Sequence, residues 1–94
     1  MEKRVILKGL EDLAERLGVK VSYERLENDD IEVRSGRYRL RGQNVLLVDR
    51  RLDMAGRIDV LRRELRQMNL AAVYVKPYLR AMLEETDEGG PDLG

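Results

Sequence analysis

The sequence predicts an α+β domain with elements in the order α-β-β-β-α-(β)-α, built as an antiparallel three-stranded sheet with two main helices packed on one face. Two observations carry this. Apolar residues recur at helical spacing in two stretches, near 4–17 and 54–68, and they alternate with polar residues in the stretch between. The chain contains no internal repeat and no linker that would divide it, so residues 1–85 read as a single domain and 86–94 as an acidic, Gly-rich tail.

The first helix is predicted from Ile6, Leu10, Leu13 and Leu17, with Leu7 and Ala14 widening the stripe and Glu11, Asp12, Glu15 and Arg16 on the other side. Gly18 follows the last apolar position and suits a left-handed C′ residue, which lets Val19 pack back on the final turn. Gly9 weakens the helix interior by about 1 kcal/mol relative to Ala, a loss that packing has to offset. Val19, Val21 and Tyr23 then alternate with Lys20, Ser22 and Glu24, predicting a strand over 19–25. Glu27, Asn28, Asp29, Asp30 and Glu32 lack the spacing of an EF-hand calcium loop and read as a solvated acidic loop, with a turn at Ser35-Gly36.

A hairpin follows. Tyr38 and Leu40 alternate with Arg37, Arg39 and Arg41, while Val45 to Val48 form an aliphatic run of the kind found in strands buried on both faces. A type II′ turn at Gly42-Gln43 sets Leu40 opposite Val45, Tyr38 opposite Leu47, Arg39 opposite Leu46 and Arg37 opposite Val48. On this reading Tyr38 points inward, and the outer face mixes guanidinium groups with Leu46 and Val48; a three-residue loop shifts the partners and sets Val45 and Leu47 on the arginine face instead. Asp53 suits an N-cap for a second helix over 54–68, striped by Met54, Ile58, Leu61, Leu65 and Met68. A short strand over Leu70–Val75 and a last helix opened by Pro77 complete the order.

Composition narrows the function. The chain has neither cysteine nor histidine, which removes disulfides, thiolate nucleophiles, Cys/His zinc sites and imidazole bases. No catalytic motif stands among the remaining groups, so the expectation is a non-enzyme without metal or cofactor. No apolar run approaches the roughly 20 residues of a membrane span, and the charged N-terminus does not resemble a secretory signal, which favours a cytoplasmic, non-membrane protein. Net charge is zero overall, yet residues 1–30 carry −2, 31–66 carry +5 and 67–94 carry −3.

The basic middle is the candidate site. Arg37, Arg39, Arg41, Leu46, Val48, Arg50 and Arg51 form the predicted interaction surface, since arginine is enriched at interfaces and solvated strands are seldom aliphatic. The expected partner is a protein or a second copy of the chain. Nucleic acid is the alternative, because guanidinium groups present paired donors to phosphate, but the predicted outer face lacks the aromatics that stack on bases.

Two resemblances complete the reading. Leu13-Ala14, Leu17-Gly18-Val19, Arg39-Leu40-Arg41-Gly42, Leu46 to Arg51, Tyr74, Pro77 to Arg80 and Leu83 together resemble a family of small uncharacterised bacterial proteins. In that family a cysteine often stands where this chain has Tyr38, so a thiol-based role does not carry over. More weakly, the order helix, three strands, helix resembles a minimal zincin metallopeptidase core. Where that core places His-Glu-x-x-His, this chain has Arg63-Glu64-Leu65-Arg66-Gln67, so the resemblance implies at most a degenerate scaffold without its metal ligands.

Overall fold

A computed structural model of the 94-residue chain describes residues 1–26 and 34–85. It contains α1 (Lys3–Arg16), β1 (Lys20–Glu24), β2 (Gly36–Leu40), β3 (Gln43–Asp49), α2 (Met54–Leu65) and α3 (Pro77–Glu84). The α+β class and the hairpin hold. The expected acidic loop over 27–32 and the tail over 86–94 lie outside the described residues.

Local signals set the end of α1 and the start of α2 where expected, while α2 stops at Leu65 rather than at 68. Gly18 adopts φ 81°, Val19 N–H donates to Ala14 O and Gly18 N–H to Glu15 O, the paired bonds of a Schellman cap. The Asp53 carboxylate accepts from Gly56 N–H at 2.8 Å and caps α2. The tolerated glycine in α1 has a tertiary reason. Gly9 is buried, and a Cβ there would overlap the Tyr78 hydroxyl and press on Leu79, so its absence lets α3 lie against α1.

The sheet corrects the antiparallel expectation. Its order is β1-β3-β2, with β1 parallel to β3 and only β2 antiparallel to it. The aliphatic run of β3 claims the central position, where a strand is hydrogen-bonded along both edges. The polar β1 and the arginine-bearing β2 take the edges, where charged side chains protect unpaired backbone. Because the chain reverses twice between β1 and β3, pairing these two directly makes them parallel. The segment Leu70–Val75 is not a strand; it runs as turns and irregular backbone into α3.

The hairpin turn also differs. Arg41 (φ 54°) and Gly42 (φ 77°) occupy its two central positions, both left-handed, the pattern of a type I′ turn. The register is therefore Tyr38 opposite Val45, Arg37 opposite Leu46 and Arg39 opposite Asn44.

The core lies between the sheet and the helices. Leu10, Leu13 and Ala14 of α1, Leu61 and Leu65 of α2, Leu79 of α3, and Leu46 and Val48 of β3 are all buried in one cluster, with Val21 and Tyr23 of β1 against it. Tyr23 is tied to both flanking helices. Its hydroxyl donates to the Glu11 carboxylate of α1, and the Arg57 guanidinium of α2 lies 4.7 Å over its ring. Partial burial and then the neighbouring carboxylate push the Tyr23 hydroxyl pKa well above the ordinary tyrosine value of 10.0.

Candidate functional site: the helix-free face of the sheet

Alternation divides the sheet into two faces. Val21, Tyr23, Arg37, Arg39, Leu46 and Val48 share the face toward the helices. Lys20, Ser22 and Glu24 of β1, Tyr38 and Leu40 of β2, and Val45 and Leu47 of β3 share the opposite face, which none of α1, α2 and α3 covers.

The arginines do share a face with Leu46 and Val48, as the sequence indicates, but it is the covered face. Leu46 and Val48 are both 0% exposed and form part of the core, so they offer no contact surface. Tyr38 and Leu40, expected inward, are 37% and 47% exposed. The physical reason is the strand order. Both main helices pack over β3 and its neighbours, while β2 sits at the edge, so its arginines reach past the core rather than lying outside it.

The individual side chains follow from this placement. Arg37 extends to α2, where its Nε lies 3.5 Å from Glu64 Oε1. The Glu64 singled out by its place in the second helix is thus engaged by an arginine of the sheet edge. Arg39 lies beyond the helices at the turn end and donates from Nη1 to Asn44 Oδ1 at 3.2 Å. Arg41 sits in the turn itself. Arg50 and Arg51 follow β3 at the opposite end; Arg51 forks onto Asp49, with Nη2 to Oδ2 at 2.7 Å, and the Arg50 carbonyl accepts from Arg57. The Arg51 hydrogen bonds hold the Asp49 carboxyl down at about 2. The proposed arginine surface is therefore divided between two ends of the sheet, with its aliphatic members buried.

On the helix-free face Leu47 is half-buried and Leu40 exposed, with Val45 between β1 and β2 only 6% exposed. Lys20, Ser22, Glu24, Arg39 and Arg41 rim an open groove of about 610 Å³ over them. The Tyr38 hydroxyl donates to Arg34 O at 2.7 Å, which holds its ring on this face. The Ser22 hydroxyl donates to the Glu24 carboxylate at 2.7 Å. The alternation of Lys20, Ser22 and Glu24 with the core-facing Val21 and Tyr23 is the sequence signal that places them on this face. Knowledge that Val45 and Leu47 share their face required the strand pairing.

Among the described residues no group of three or more Asp or Glu side chains is arranged to hold a metal ion, and no helix is long and apolar enough to cross a membrane. Comparison of the chain with protein-family models, curated proteins and solved structures finds no match.

Proposed function

We propose that this protein is a non-enzymatic interaction module that binds another polypeptide through the helix-free face of its sheet. The observation that carries the reading is the exposure of Tyr38 and Leu40 beside the half-buried Leu47. A solvated sheet face is ordinarily polar, and a contiguous apolar patch with a polar rim is the usual anatomy of a contact surface. The lack of His and Cys in the sequence removes the commonest acid-base and nucleophilic groups and adds weight to a binding role.

A photoreactive side chain introduced in place of Leu40 tests this reading in the living host. It is expected to form adducts with a polypeptide, and Leu47→Asp in the same chain is expected to abolish them. Absence of any polypeptide adduct overturns the reading.

Nucleic acid is a second reading, favoured by one observation. Tyr38 stands on the open face, with Arg39 and Arg41 at the adjoining turn, so the face does present an aromatic near cations. Titration with single-stranded RNA at low salt tests it: binding is expected to fall steeply with added salt and to weaken in Tyr38→Ala. No binding at low salt overturns this second reading.

A further inference from the structure

We infer that the occupant of the helix-free face is a second copy of this chain, stacked with its strands antiparallel to those of the first. The inference rests on the proposed contact role of that face and adds the partner and its orientation.

The groove is polarised along the strands. Lys20 and the turn residue Arg41 lie at the hairpin end, whereas Glu24 lies four residues along β1 from Lys20 on the same face. Four residues of strand span about 13 Å, so the two charges are separate features of the surface rather than one ion pair. Neither Lys20 nor Glu24 faces the helices, and the Ser22 hydroxyl bond orients the Glu24 carboxylate without neutralising it. Asp49 adds no free charge at that end, because its own Arg51 already holds it.

Two sheets packed face to face keep their strands within about 30° of one another, so a copy arrives either parallel or antiparallel. A parallel arrival sets Lys20 and Arg41 against their own counterparts. An antiparallel arrival about a twofold axis across the strands sets β1 over β1 and brings Glu24 of each copy onto Lys20 of the other. The half-buried Leu47 and the exposed Leu40 of each copy then lie at the contact. Such a contact is self-complementary, as a twofold interface has to be, and every favourable pair occurs twice. Like charges set against each other cost affinity, so the same polarity that favours one orientation rejects the other.

Sedimentation equilibrium of the full chain at micromolar concentration and low salt tests the inference. A dimer is expected, weakened by added salt. Leu40→Asp and Leu47→Asp are each expected to give a monomer with unchanged circular dichroism; Leu40 is the more exposed, so its variant stays informative where Leu47→Asp perturbs folding. Lys20→Glu or Glu24→Lys alone is expected to weaken the dimer about tenfold, a change of about 1.4 kcal/mol. The double variant Lys20→Glu/Glu24→Lys is expected to associate more tightly than either single variant, because the reversed charges again meet their opposites. A monomeric wild type overturns the inference, as does a double variant no tighter than the singles. A monomer that binds a glutamate-rich peptide through the same face also overturns it while leaving the contact role intact.

Discussion

Leu46 and Leu47 are the same residue at adjacent positions of one strand, yet they belong to different environments. Leu46 is enclosed by α1 and α2, whereas Leu47 lies on the floor of an open groove. The two faces of the sheet differ in the same way throughout. On the covered face each polar group has been drawn into a specific contact: Tyr23 with Glu11 and Arg57, Arg37 with Glu64. On the open face the aliphatics carry no helix, and the charges at the rim are segregated by sign. Burial on the first face stabilises the fold, whereas Tyr38 and Leu40 on the second stay exposed.

The sharpest way to break this comparison is to truncate both leucines. Leu46→Ala is expected to cost about 2–5 kcal/mol, as buried leucines do, and Leu47→Ala roughly 1 kcal/mol or less, both read by urea unfolding at a concentration where the chain is monomeric. Equal costs would mean that both faces serve the core. The two tyrosines give the next largest contrast. Tyr23→Phe removes a hydrogen bond to a carboxylate in a partly buried setting, with an expected loss of about 1–2 kcal/mol; Tyr38→Phe removes an exposed bond to a carbonyl and is expected to change stability by about 0.5 kcal/mol or less.

Alkaline titration sharpens the same contrast. The folded Tyr23 pKa is raised above the unfolded 10.0, so its contribution is complete below pH 10 and is lost as pH rises past that value. Tyr23→Phe is expected to remove this part of the alkaline loss, and Tyr38→Phe to leave it in place. Arg37→Ala is a smaller change, about 0–1 kcal/mol and reduced by salt, because the pair with Glu64 is only partly shielded. The least effect is expected at Asp49. Its folded value near 2 lies below its ordinary 3.8, so its stabilisation is present above about 3.8 and disappears as pH falls toward 2. In Asp49→Ala the slope of stability against pH across that interval is expected to be shallower, as measured by acid-dependent urea unfolding.

Much of the local structure was legible from single stretches of sequence. The leucine stripe of α1, the left-handed Gly18, the Asp53 cap and the period-2 alternation of 37–41 each follow from contacts within a few residues. The hairpin was legible too, but its turn was displaced by one residue: Arg41 accepts a left-handed conformation that is uncommon outside glycine, and the glycine supplies the second such position rather than the first. The grouping of residues by face survived that displacement, because moving the two-residue turn by one position shifts every partner by two, from Leu47 to Val45 for Tyr38, which keeps the pairs on the same side.

Which face the helices would cover was beyond that kind of reasoning. Alternation shows that Arg37 and Arg39 share one side and that Tyr38 and Leu40 share the other, but it carries no label for inside. The usual label, that apolar residues point inward, favoured Tyr38 and Leu40, and here it failed because β2 is an edge strand. Its side chains lie beyond the centre of the helix layer, so Arg37 can turn toward Glu64 at the core's margin while Leu46 and Val48 of β3 fill the space beneath the helices. The sequence alone determined the elements, their caps and the partition of each strand into two sides. Tertiary structure alone decided the strand order, and with it which side became core, because that choice depends on contacts between β1 and β3 across more than 20 residues of chain, beyond the reach of any local period.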